Sequence, residues 1–119
     1  MAINSRDKGG VGEREVSHML VDDGFCEHAE RTAQRCGKGG TADVVGLHGV
    51  HIEVKRTEKL NIWKAMSQAV RDAVGAIPSV WHRRNRDEWL VTVRYRDLRA
   101  FSEAIVDNCR RVDRLKNSG

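Results

Sequence analysis

In the stretch TADVVGLHGVHIEVKR, residues 41 to 56, Asp43, Glu53 and Lys55 interrupt what otherwise reads as two short apolar strands. Two carboxylates held opposite each other on a sheet repel unless a cation or a proton sits between them, so such a pair is a natural place for a hard divalent metal. Mg²⁺ favours oxygen ligands and keeps several waters, which lets it bind a phosphate oxygen and present an activated water together. Asp43 and Glu53 are the candidate ligands. Lys55 lies two residues beyond Glu53 and so on the same face of its strand, placed to orient an attacking water or to stabilise charge on a phosphate in the transition state. The plain alternative is a surface salt bridge among the three, since exposed antiparallel faces often carry mixed charge.

Whether the two carboxylates meet depends on the register of the hairpin, with His48 and Gly49 as its turn. In an antiparallel pair the partner numbers sum to a constant, and its parity decides which side chains share a face. An even sum, as with a three-residue loop at 47 to 49, pairs Val44 with Ile52 and Asp43 with Glu53. Val44, Val50, Ile52 and Val54 then line one face, and Asp43, Val45, His51, Glu53 and Lys55 the other. An odd sum sets Asp43 opposite Val54 and mixes both faces. The even register is expected because it alone separates apolar from polar side chains. His51 falls on the ionic face, but hydrolysis of this kind does not require a histidine base, so it is read as a neighbour only.

The elements that must position these residues follow from the rest of the chain. GVGEREVSHMLVDDG, 10 to 24, predicts a helix with Val16, Met19 and Leu20 on one face and Gly24 as a left-handed stop. Residues 25 to 35 predict an extended strand, and CGKGGT at 36 to 41 a loop. GKGGT lacks both the spacing of a phosphate-binding loop and a following helix pattern, so nucleotide binding is set aside. NIWKAMSQAVRDAVG, 61 to 75, predicts a helix with Ile62, Met66, Ala69, Val70 and Ala73 inward and Trp63 and Val74 widening the stripe, capped by Asn61 and ended by Gly75 and Pro78. Strands follow at 78 to 83 and 88 to 94, joined by RRNRDE. From Asp97 the chain fits an amphipathic helix with Leu98, Phe101, Ile105, Cys109 and Val112 on one side. Helix, three strands, helix, two strands, helix predicts an α/β fold, a mixed sheet flanked by helices.

The 119 residues suit one domain, 1 to 119, with no break in composition. With 39% hydrophobic and 32% charged residues, disordered and membrane-spanning classes are disfavoured. The start, MAINSRDKGG, lacks the apolar stretch of a signal peptide, and a cytoplasmic location is expected. Lys and Arg number 21 against 17 acidic residues, and HRRNR at 82 to 86 and RRVDRLK at 110 to 116 are dense enough to contact phosphates as groups. A solvated basic surface explains either cluster equally well. Cys26, Cys36 and Cys109 have no CxxC spacing and are expected to be reduced. Cys26, His28 and Cys36 lack a fourth zinc ligand at usual spacing.

Asp43 followed after nine residues by Glu53-Val54-Lys55 resembles the core motif of the PD-(D/E)XK nuclease superfamily. RDKGGVGERE, 6 to 15, is similar to the start of the first helix in archaeal and phage-type Holliday junction resolvases, and Gln68 matches the glutamine on the helix after the E-x-K strand. These features span roughly residues 6 to 94. Ala42 stands where many relatives have proline, which shapes backbone and binds no metal.

The resemblance implies a restriction-endonuclease-like α/β/α core, Mg²⁺ dependence with Mn²⁺ able to substitute, and hydrolysis of DNA phosphodiesters to a 5′-phosphate and a 3′-hydroxyl. For a resolvase it also implies branched or four-way DNA and a homodimer, in a bacterial, archaeal or phage-infected cell. It implies a metal held by Asp43, Glu53 and a helix glutamate, with the Val54 carbonyl completing the shell, Lys55 assisting the water and Gln68 steadying the arrangement. Periodicity does not choose between Glu13 and Glu15; the resemblance favours Glu13. Arg6, Lys8, Arg14, Arg31, Arg35, Lys38, Arg56, Arg83, Arg84 and Arg86 form the expected DNA-contacting set. Trp63, Trp81 and Trp89 are expected in core or interface rather than stacked on bases, and Trp63 and the last helix's apolar stripe are candidate dimer surfaces. The alternatives are a superfamily nuclease acting on duplex, flap or single-stranded DNA, and a catalytically silent DNA-binding module.

Overall fold

The computed structural model describes residues 5–32 and 42–118, with side chains from residue 10 onward. Its first helix, α1 (Ser5–Asp22), begins earlier than the sequence pattern suggests. Gly9, Gly10 and Gly12 each lower helix propensity by up to about 1 kcal/mol, which hides the first turns from a pattern based on apolar spacing. Val16 and Leu20 are buried on its inner side. The helix ends as expected: Gly24 takes φ +82°, and the amides of Gly24 and Phe25 donate back to Val21 O and Leu20 O at 3.1 and 2.8 Å.

The strand expected over 25–35 is shorter among the described residues, where Glu30–Arg31 (β1) joins the sheet and 25–29 do not; residues 33–35 lie outside them. The amides of Phe25 and Cys26 both turn back to Leu20 O, so this part of the segment closes the helix and seats Cys26 in the core before the chain extends. The glycine-rich loop lies outside the described residues.

The hairpin comprises β2 (Val44–Val45) and β3 (Val50–Arg56). Val44 pairs with Ile52, which is the even register, and the Asp43 amide donates to Ile52 O at 2.9 Å. Next comes α2 (Ile62–Asp72), capped by Asn61, whose side-chain oxygen accepts from the Lys64 amide at 3.1 Å. The helix carries the chain over to β4 (Ile77–Arg83), parallel to β3. The antiparallel edge strand β5 (Leu90–Thr92), a 3₁₀ turn at Tyr95–Asp97 and α3 (Leu98–Asn117) complete the chain. The sheet order is β1-β2-β3-β4-β5. No helix among the described residues is long and apolar enough to cross a membrane.

Alternation along β3 and β4 sends side chains to both faces, and helices cover both. Val16 and Leu20 of α1, with Phe101, Ala104 and Ile105 of α3, pack with Val44, Ile52, Val54 and Trp81. Ala65, Met66 and Ala69 of α2 pack against Val80 on the other side. The result is a mixed five-stranded sheet in an α/β/α sandwich.

The inward stripe of α2 differs from expectation. Its buried residues are Ala65, Met66, Ala69 and Asp72, while Trp63 and Val74 are 84% and 86% exposed. Two small alanines let the helix approach β4, and two residues of helix turn a side chain through about 200°, so seating Ala65 sends Trp63 outward. Trp63 is therefore not a core residue. Leu98, expected inward on α3, is also exposed. On the same helix Asn108 does what sequence pattern does not reveal: its Oδ1 accepts from the His48 amide at 3.0 Å, and its Nδ2 donates to His48 O at 3.1 Å and Ala104 O at 2.7 Å. The hairpin turn is thereby clamped to the last helix.

Leu20→Ala should cost about 2–5 kcal/mol of stability, whereas Trp63→Ala should stay within about 0.5 kcal/mol. Urea unfolding of the two variants checks this, and equal losses would contradict the orientation of α2.

Candidate active site

Because α2 lies over the Glu53 side of the sheet, the ionic face of the hairpin is not a solvated surface. Glu53 is 2% exposed and Asp43 6%, which removes the surface salt bridge as an explanation. The Val54 amide donates to Asp43 Oδ2 at 2.8 Å, tying the aspartate to the strand that carries the glutamate. Asp43 also shares a hydrogen bond with Glu53. Burial, with the Glu53 charge next, lifts the Asp43 pKa to about 7, against the opposing pull of the Val54 amide. At neutral pH a proton is thus partly retained between the two carboxyl groups.

Lys55 Nζ stands 3.9 Å from Glu53 Oε2 and donates to Gln68 Oε1 at 3.0 Å. The glutamine of α2 thus holds the lysine of β3, as two helical turns below Asn61 would allow. His51, read from sequence as a mere neighbour, has its buried ring Nε2 3.2 Å from Glu53 Oε1. The period of two along the strand placed it on this face, but nothing in the sequence showed that it makes the contact.

Glu13 approaches from α1. A Cβ at Gly12 would meet Arg56 Cβ at 3.1 Å and Val54 Cγ1 at 3.2 Å, so glycine there lets the helix close on β3 and bring its neighbour in. Glu13 is buried, with Arg31 Nε 3.3 Å from Oε2. Burial raises its pKa, Arg31 opposes that rise, and the charge of Glu53 adds to it. Glu15 belongs to a different group: its carboxylate takes Arg56 Nε at 3.3 Å, Arg83 Nη1 at 3.1 Å and Trp89 Nε1 at 2.9 Å. Glu13 is the helix glutamate that feels the charge of Glu53 and whose own charge is felt by Asp43.

No family model matches the sequence, and no curated protein matches it. Among solved structures, Hjc of Archaeoglobus fulgidus, a Holliday junction resolvase from an archaeal hyperthermophile, matches with a TM-score of 0.53 and 25% identity, over 71% of this chain and 75% of its own. The chain resembles an archaeal Holliday junction resolvase. The likeness supports the fold and agrees with the resemblance to archaeal resolvases seen in the sequence.

The basic residues divide into three groups. Arg56 and Arg83 are engaged by Glu15, with Arg83 6.0 Å above the Trp89 ring, a structural pairing that the sequence did not reveal. Arg31 is half-exposed while paired to Glu13, and Arg84 pairs with Asp87 at 2.7 Å. Arg14 and Arg86 are exposed. Arg35 and Lys38 lie outside the described residues, as do the side chains of Arg6 and Lys8. Trp81 is buried and Trp89 partly so, in keeping with core roles.

Among the described residues no three His, Cys, Asp or Glu side chains are gathered into a ready-made metal cluster, and Glu13 is paired with Arg31. The donor chemistry nevertheless fits a hard divalent cation: two buried carboxylates oppose each other, and a proton now does what a cation would do better.

A carboxyl whose pKa is raised on folding binds more protons in the native than in the unfolded state. Stability of the metal-free protein should therefore fall as pH rises from about 4 towards about 7, and level off above that. Melting temperatures from pH 4 to 8.5 should show this decline, and Asp43→Asn should make it shallower; an unchanged slope in the variant would contradict the buried pair.

Proposed function

We propose that this protein is a metal-dependent DNA endonuclease that resolves Holliday junctions or closely related branched DNA. The observation that carries this reading is the buried Asp43–Glu53 pair with Lys55 and Gln68 beside it, on a fold similar to that of Hjc. Asp43, Glu53 and Glu13 would hold Mg²⁺, or Mn²⁺ in its place, with the Val54 carbonyl as a further oxygen donor. The ion when bound supplies Lewis acidity to a phosphate oxygen and lowers the pKa of a bound water.

The rest falls to the side chains. Lys55, kept in place by Gln68, sets a positive charge where negative charge develops on the phosphate and where the attacking water must be oriented. Glu13 would have to leave Arg31 to serve as a ligand, and the half-exposed Arg31 guanidinium would then be available to a DNA phosphate. Arg14, Arg84 and Arg86 offer further phosphate contacts, whose affinity falls with salt. Hydrolysis leaves a 5′-phosphate and a 3′-hydroxyl. Cutting two strands of a junction calls for two such sites, and hence a homodimer.

With a labelled four-way junction and Mg²⁺, the wild-type protein should cleave, and Asp43→Asn, Glu53→Gln and Lys55→Ala should each lose at least about 100-fold in rate, the scale of losing one electrostatic stabiliser. Equal cleavage of linear duplex would replace junction resolution by a broader nuclease activity. DNA binding without cleavage, unchanged by Asp43→Asn, would identify a silent binding module and overturn the proposal.

A further inference from the structure

We propose that His51 is a positioning residue for the metal site, acting through Glu53. The inference rests on the metal-site reading above. His51 and Glu53 occupy alternate positions of β3, on one face, and both are buried. The ring Nε2 lies 3.2 Å from Glu53 Oε1, while Lys55 stands on the side of Oε2. With the shared proton on Asp43, Glu53 is a carboxylate whose oxygen accepts, and the ring tautomer that fits carries its hydrogen on Nε2 and donates it.

Glutamate reaches its carboxylate through three rotatable bonds, and a ligand left mobile must be ordered each time a cation binds. Asp43 has less to order: its shorter side chain is fixed by the Val54 amide. Among the described residues Glu53 receives no backbone donor comparable to that amide, and the neighbouring imidazole supplies a donor from a fixed place. The backbone beneath the ring is itself held, since Ser79 Oγ donates to His51 O at 2.7 Å and accepts from Trp81 Nε1 at 2.9 Å. The histidine thus stands on a rigid, hydrogen-bonded base and restrains the carboxylate at its tip. Groups that orient a ligand from behind commonly change metal affinity by about 10–100-fold when removed.

A buried histidine satisfied by a nearby carboxylate also occurs for packing alone, and the test separates the two. Mn²⁺ is titrated calorimetrically into the full-length wild type and into His51→Leu, His51→Asn and His51→Gln, with melting temperatures measured in parallel. The positioning role expects Mn²⁺ binding weakened about 10-fold or more in Leu and in Asn, whose amide falls short, and largely restored in Gln, whose amide reaches Glu53. Should Leu fail to fold, the contrast of Asn with Gln decides the matter. Wild-type affinity in folded Leu or Asn, with binding still lost in Asp43→Asn, would overturn the role of His51 and leave the metal site standing. Absence of Mn²⁺ binding by the wild type would overturn the metal site and this inference together.

Discussion

The pairing of Val44 with Ile52 fixes where Asp43 and Glu53 lie, and with them two carboxylates beneath α2. Like charges removed from water repel strongly, and here a retained proton, the Val54 amide, Lys55 and His51 together make the arrangement tolerable. Every neighbouring element contributes to that compromise. Gly12 lets α1 approach, the alanines of α2 let it close over the strand, and Asn108 fixes the turn that sets the register.

Much of this was legible in the residues because period-two alternation is strict. The hairpin register, the face shared by Asp43, Glu53, Lys55 and His51, the Asn61 cap and the Gly24 stop each follow from a local rule with one good solution. What was not legible depended on contacts between distant segments. The burial of the ionic face needs α2 above it, and alternation alone reads the same for an exposed strand and a covered one. The orientation of α2 was decided by the small size of Ala65 and Ala69 rather than by its largest apolar residue, so Trp63 misled. Phe25 and Cys26 carry apolar side chains like a strand, yet their amides are taken by Leu20 O at the end of α1.

Charge was the least legible property. Composition counts an arginine the same way wherever it lies, but Arg56 and Arg83 meet Glu15 across three elements and serve the interior. The two glutamates of GERE are likewise separated by what faces them. Glu13 joins a region of excess negative charge, while Glu15 is matched by two guanidinium groups and an indole. Two residues along one helix thus separate a group beside the buried carboxylate pair from one that binds the helix to the sheet.

The Asn108 clamp has a consequence for the order in which the protein takes shape during synthesis. The turn at His48 is made early, but the side chain that secures it belongs to the last helix, 60 residues later. Until α3 has emerged and docked, the hairpin has its local turn without this anchor. A contact between segments so far apart closes at a greater entropic cost than the turn it secures.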